Sequence, residues 1–417
     1  MSQMDTIILL FEDAWVSRLA PLSHARAAFE LSCGGYRLVD LAGRLGRFVR
    51  AAARPHLRAY LAHHRPELVE PPPAGEGMVL MVNARLAPRA GAIEQLGRWA
   101  RQRELALVRC GQNVAAVLLP PGRLPPETVA HGRELDAWIE GLRLPSVEMD
   151  LPMLEYPHDL IRHHPAALAE NLEDRLRRGA YREVADGVFV ADGARLGQNV
   201  VTDTSRGPIL LEDGAQVGAH CYLSGPAHLG RGARVLEHAA IKDGVALGHT
   251  TKIGGEIECS IIEPFTNKQH HGFLGHSYLG SWVNLGAGTC NSDLKNTYGM
   301  VTMEYQGRRV ATGMQFVGCF VGDYAKTAIN TGIFTGKTIG VCSMVYGFVT
   351  TNVPSFVNYA RSFGQVTEVP VEVMVATQAR MFKRRDVEQR PCDIQLIHDM
   401  HELTRHERQL ANEPLSF

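Results

Sequence analysis

The sequence predicts an α/β domain followed by a parallel β-solenoid and a helical C-terminal extension, on three observations. Leu211, Val217, Leu223, Leu229, Val235, Ile241, Leu247 and Ile253 are eight aliphatic residues in succession at a spacing of six. Upstream, short apolar runs (TIILLF, GMVLMVNARL, LALVRC, NVAAVLL) alternate with stretches of helical spacing (YRLVDLAGRLGRFVRAA, GAIEQLGRWARQRE). After Pro354 the beat stops, and VEVMVATQARMFKRRDVEQR and CDIQLIHDMHELTRHERQLANE read as helices.

A period of six suits neither an amphipathic helix nor an isolated hairpin. It suits a solenoid of short strands, three to a turn, each pointing one aliphatic residue at the axis. Two positions before seven of these residues stands a small or β-branched one: Ala215, Cys221, Ala227, Ala233, Ala239, Val245 and Thr251. The beat recurs at Val190 and Leu196, at Leu279 and Leu285, and at Val321, Thr327, Ile333, Ile339 and Val345. Residues 254–273 and 289–316 break it. Insertions leave a coil as loops on one face or edge, where function collects.

Alternating apolar runs and helices imply a three-layer α/β unit over residues 1–155. RPELVEPPPAGEG and PPGRLPPE are its proline-rich loops. The polar stretch HDLIRHHPAALAENLEDRLRRGAYREV makes 156–187 a helical linker, 188–355 is the coil, and 356–417 a helical extension capping the open end of the solenoid.

The 417 residues are 45% hydrophobic with net charge −1, so no basic field points to nucleic acid. No apolar run approaches a bilayer's thickness, which points to a cytoplasmic protein with no membrane partner. Eight cysteines without a C-x-x-C pair argue against a disulfide framework and against a thiolate zinc site, so no metal centre is expected.

The stretch at 267–296, NKQHHGFLGHSYLGSWVNLGAGTCNSDLKN, sets histidines, lysines and asparagines among aliphatic-glycine pairs. Together with the six-residue beat and the preceding α/β unit, it resembles the bifunctional sugar-1-phosphate nucleotidyltransferase/acetyltransferases, the GlmU-type family. That resemblance implies a Rossmann-like nucleotidyltransferase domain, a left-handed parallel β-helix and packing as a homotrimer. Counting back from Asn284 places His270 at the family's basic histidine, with His271 one residue away, and Phe273 at a tyrosine that contacts the sugar. The resemblance gives Asn284 and Asn291 as orienting amides and Ala287 as lining for a pantetheine arm. Lys252, Lys268 and Lys295 are candidates for a sugar phosphate; Lys326 and Lys337 are candidates for coenzyme A. The chemistry needs such groups: an unprotonated amine attacks a thioester, a base of near-neutral pKa takes its proton, and donors face the oxyanion.

The N-terminal signature is altered. The family's loop has the form Gly-x-Gly-Thr-Arg-Leu-x-Pro-Leu-Thr; here FEDAWVSRLAPLSHAR keeps Arg18-Leu19 and Pro21-Leu22 but has no glycine. No lysine precedes Lys242, Ala28 stands where the family has one, and Asn83 and Arg85 stand where it has a magnesium-binding aspartate. Pro21 to Arg26, Asn83 to Arg85 and Asn267 to Ser277 resemble a divergent branch of these proteins. Arg18, Arg26, Asn83 and Arg85 are its candidate nucleotide contacts.

The expected function is acyl-CoA-dependent N-acylation, with acetyl-CoA or another acyl-CoA as co-substrate, of an amino-sugar phosphate or nucleotide-linked amino sugar. The nucleotidyltransferase domain is expected to be degenerate, with Mg2+ needed only if it is active. Three alternatives stand beside this: an active bifunctional enzyme, a non-catalytic sugar-nucleotide scaffold, and a zinc carbonic-anhydrase-like coil. The last would use His271 and His276, five residues apart, with His238.

Overall fold

The computed structural model describes residues 6–70 and 77–411. Part of the first proline-rich loop (71–76), the first five residues and the last six of the extension lie outside the described residues. Strand Ile7–Phe11 lies between two parallel neighbours, Phe48–Ala52 and Val79–Asn83. Asn113–Leu119 and Leu107–Cys110 continue the sheet antiparallel, and Ser146–Glu148 closes it.

The side chains show why three layers form. Ile8, Leu10, Leu80 and Val82 pack with Ile93, Leu96 and Leu160 on one face, whereas Ile7, Leu9, Val79 and Met81 pack with Leu135 and Ile139 on the other. Period-two alternation thus covers both faces of the central strands with helices. The stretch YRLVDLAGRLGRFVRAA is not one helix: it is helical only over Leu38–Ala42, and Phe48–Ala52 is the edge strand. The glycines explain this. Gly43 ends the helix, and Gly46 packs so close to the Thr6 carbonyl that a side chain there would clash.

Helix Pro157–Arg178 leads to the coil. His164 clamps it there, accepting from Gly34 N (2.9 Å) through Nδ1 and bonding the Gly244 carbonyl (3.0 Å) through Nε2, while Arg175 pairs with Glu212 (2.7 Å). Burial pushes the pKa of His164 down to about 4, consistent with a neutral ring serving both partners.

The coil is a left-handed parallel β-helix. Its first face stacks Val188–Val190, Ile209–Leu211, Ala227–Leu229 and their successors to Lys337–Ile339. The second runs from Arg195–Leu196 to Val357–Ala360, and the third from Val201–Asp203 to Phe348–Val349. All eight aliphatic residues of the six-residue series are at most 4% exposed. The corner between second and third faces turns on residues in the left-handed region, including Asn199, His220, His238, Gly288 and Asn330. Short polar side chains and glycine tolerate that conformation best.

The first break in the beat is not a loop. Glu256–Glu258, Ile261–Ile262, Asn267–Lys268 and Phe273–Gly275 pair in parallel with the strands of the preceding coil, so the solenoid runs straight through 254–273. Shortened corners shift the phase of the sequence without ending the stack. Within the second break, Cys290–Asn291 still belongs to the third face, and the real excursion contains the hairpin of Thr302–Tyr305 with Arg308–Ala311. Nor does the C-terminal extension only cap the coil. Helix Val371–Lys383 lays Phe382 on Trp282 (4.6 Å), and helix Pro391–Leu403 packs on helix Arg58–His64 of the N-terminal domain. Its last helix, Arg405–Ala411, meets the final turn, where Glu407 accepts from Ser355 N (2.8 Å), and His401 of the preceding helix packs edge-on against Phe356 there (5.0 Å).

Candidate functional site

The sequence-predicted residues divide between two places on the coil. His270 and His271 occupy the corner between second and third faces, both exposed. Lys268, just before them, takes an axis-facing position that Val235 and Ile253 fill in earlier coils, and is 2% exposed. Its ammonium donates to the carbonyls of Gly254 (2.9 Å) and His270 (2.7 Å), and burial lowers its pKa to about 8. It therefore braces the histidine corner from within rather than facing a sugar phosphate.

The next coils complete this corner. Gly288 N donates to the His271 carbonyl (3.0 Å). A Cβ at Gly288 would lie 3.3 Å from His271 Nε2 and would collide with the Asn330 amide oxygen, so glycine, here at φ +74°, lets the His271 ring and the Asn330 amide close on the backbone at this corner. Ala287 adjoins it and accepts from Asn330 N (2.7 Å). Phe273, half-buried on the adjoining third-face strand, receives its backbone support from Cys290 Sγ (3.3 Å). Asn291 is buried and spends its amide on both backbone groups of Gly275, at 2.8 and 3.0 Å.

The other residues lie elsewhere. Asn284 sits on the second face between Asn267 and Lys326, in line with Lys252, and its side-chain oxygen accepts from Asn267 (3.4 Å). The pKa of Lys252 is lowered chiefly by Arg385, while burial pushes that of Lys326 down to about 8. Lys295 reaches the Met300 carbonyl (2.8 Å) within the excursion, and Lys337 opens a first-face strand. His238 stacks on His220 (5.3 Å) two coils from the histidine corner, so a single chain does not gather His238, His271 and His276.

His276 carries a signal the motif count missed. It stands at the corner between third and first faces, one coil from Asp293, whose carboxylate accepts from Nδ1 at 2.8 Å, and Phe316 stacks on it at 5.2 Å. Burial works against the charged ring, but hydrogen bonds with Asp293 and Cys259 outweigh it and raise the pKa to about 10. A group cationic at neutral pH cannot accept the amine's proton, so His276 orders the corner. Imidazole NMR at pH 8 is expected to show a protonated ring that returns toward the ordinary range in Asp293→Asn; a neutral ring in the unaltered chain would contradict this.

In the N-terminal domain a cleft of 110 Å³ opens at the C-terminal ends of Ile7–Phe11 and Val79–Asn83, where α/β sheets bind ligands. Asp13, Trp15, Asn83, Asn113, Asp136 and Glu140 line it, an acidic cast for a phosphate site. Burial raises the pKa of Asp136 to about 6. Arg85 is fully buried and forks onto Asp13 (2.6 and 2.8 Å), which also accepts from Asn83 (2.8 Å). Arg26 is partly buried, its side chain 12% exposed and its guanidinium taken by Glu263 (3.2 Å) and Asp323 of the coil. Arg18 lies over the Trp15 ring at 3.5 Å. As arranged, both Arg26 and Arg85 are occupied by the chain's own carboxylates.

Residues 8–178 match the sugar nucleotidyl transferase family. The chain is 28% identical over 149 residues to a bifunctional sugar-1-phosphate nucleotidylyltransferase/acetyltransferase of Sulfurisphaera tokodaii, covering 35% of this chain and 37% of that protein. It is 34% identical over 134 residues to the bifunctional protein GlmU of Azorhizobium caulinodans, covering 29% and 30%. The matches thus span less than half the length of these relatives. A solved UDP-N-acetylglucosamine acyltransferase of Francisella novicida superposes with TM-score 0.35 at 15% identity, over 56% of this chain and 79% of that one. Such a score adds nothing to the strand pairings, which define the coil by themselves. The chain thus carries a sugar nucleotidyl transferase match over its first domain with a parallel β-solenoid behind it, and is similar over part of its length to bifunctional GlmU proteins.

Proposed function

We propose that the coil transfers an acyl group from an acyl-CoA to the amine of an amino-sugar phosphate or nucleotide-linked amino sugar, at the corner of His270, His271, Gly288 and Asn330. The supporting observation is the convergence of the His271 ring and the Asn330 amide on the side-chain-free backbone at Gly288. In this reading the amine attacks the thioester carbonyl and a histidine accepts its proton. The carbonyl collapses with expulsion of the coenzyme A thiolate, which is then protonated. His271, whose ring lies against Gly288, is better placed for this than His270. Asn330 supplies an amide for the acyl or sugar oxygens, Ala287 borders the path of the pantetheine arm, and Phe273 offers a ring to the sugar. Free-thiol release from acetyl-CoA, screened across amino-sugar phosphates and nucleotide-linked amino sugars, tests the reading; turnover that needs no amine acceptor counts against it.

The first domain, in the same proposal, is a weak nucleotidyltransferase. Its cleft is acidic, its buried arginines are engaged internally, and its loop side chains at 13–16 crowd the approach a triphosphate needs. Pyrophosphate release from nucleoside triphosphates with sugar-1-phosphates and Mg2+ is expected to be slow or absent, and robust turnover abolished by Arg18→Ala would overturn this.

We also propose a homotrimer. Phe334, Phe348 and Phe363 are 50%, 61% and 69% exposed, an apolar row on and beside the third face. Rings this open are better covered by a second copy than by water. Light scattering is expected to give three chains per particle; a monomer at micromolar concentration would contradict it.

A further inference from the structure

Where the C-terminal extension meets the N-terminal domain stands a side-chain cluster that neither proposed reaction uses. His64 ends helix Arg58–His64, and Cys392 and Asp393 lie in the first turn of helix Pro391–Leu403, which packs against it. The imidazole, thiol and carboxylate each offer one ligand atom, and these atoms all lie within 4.8 Å of one another. Among the described residues no other trio of His, Cys, Asp or Glu does so.

The ligand set is partly oriented in advance. His64 Nε2 lies 3.3 Å from Asp393 Oδ1, while the other carboxylate oxygen accepts from Arg390 N at 2.9 Å and so cannot swing away. Tyr60 packs on the imidazole at 4.2 Å and restrains its plane. Asp393 is 2% exposed and His64 37%, so the cluster has a protein side and an open side. One nitrogen, one sulfur and one oxygen ligand with an open fourth position is a donor set that suits Zn2+ in tetrahedral coordination.

We propose that His64, Cys392 and Asp393 bind one Zn2+ ion, which fastens the C-terminal extension to the N-terminal domain. A metal–ligand link here closes a loop of most of the chain, and its binding energy adds to the stability of the docked state. The effect reaches the coil, because the preceding helix carries Phe382 onto Trp282. Spacing could not show this trio: His64 and Cys392 come from opposite ends of the chain and form no C-x-x-C pattern.

The test uses the full chain, stripped with chelator, equilibrated with Zn2+ and desalted. Metal analysis is expected to find about one zinc per chain. Alkylation mapped by peptide mass spectrometry is expected to show Cys392 labelled in the stripped protein and protected in the zinc-loaded one. His64→Ala and Cys392→Ser should each lose the bound zinc. Failure to retain zinc, or zinc retained while Cys392 labels as fast as in the stripped chain, overturns the proposal. Because that comparison needs no variant, it decides the matter even if a substitution disturbs folding.

Discussion

Alanine at His271 or His270 is expected to leave the protein folded and to lower acyl transfer by about 10²-fold or more for whichever ring is the base. Both side chains are exposed and neither belongs to the aliphatic column of the coil, so their loss opens no cavity in the core. The loss should fall on kcat, with KM for the sugar little changed, because proton acceptance develops in the transition state. Geometry favours the larger effect at His271, whose ring lies against Gly288. Gly288→Ala should reproduce much of the defect by displacing the Asn330 amide while His271 stays in place. Full turnover in both histidine variants would remove the base from this corner altogether.

Arg26→Ala is expected to have the largest effect on stability, about 3–5 kcal/mol, the scale for removing one partner of a buried ion pair. Arg26 reaches from the N-terminal domain to Glu263 and Asp323, whose side chains are 1% and 3% exposed. Glu263 also accepts from Ser32 N (2.9 Å) and from the Tyr278 hydroxyl, and Asp323 from Ser281 N (2.9 Å). Those bonds hold the carboxylates in place, so losing the guanidinium strands two acids in the interior. Burial already pushes the pKa of Asp323 up even with Arg26 beside it, so in the variant the Asp323 carboxyl should take up a proton on folding. Denaturant titration with a domain-specific probe checks this. Lysine should restore only part of the loss, since an ammonium cannot span both acids as a guanidinium does. A change below about 1 kcal/mol would show that the pair carries little of the interface.

The coil was legible because each short strand spends one residue on the axis, and a period of six has no competing explanation. The phase shift at 254–273 was not, since a shortened corner looks in sequence like a departure from the coil although the strands still pair in parallel. The edge strand Phe48–Ala52 was hidden by helical spacing that Gly43 and Gly46 interrupt. Within the proposed site, the nearness of His270, His271 and Phe273 could be read from the motif, whereas that of Asn330 could not, because the excursion separates it from them in sequence. His276 with Asp293 could have been found by stepping one coil along the same corner. The internal partners of Arg26 and Arg85 could not, for contacts between residues far apart in the chain leave no mark in local spacing.

The central claim is that the coil acylates an amino sugar. Its most direct test is mass-spectrometric detection of the N-acylated product after the full chain is incubated with isotopically labelled acetyl-CoA and amino-sugar phosphates or nucleotide-linked amino sugars. The account predicts label on the sugar nitrogen, formed with equal release of coenzyme A thiol and lost in the His270→Ala/His271→Ala double variant. No labelled sugar from any acceptor in a folded protein, or product undiminished in the double variant, would contradict it.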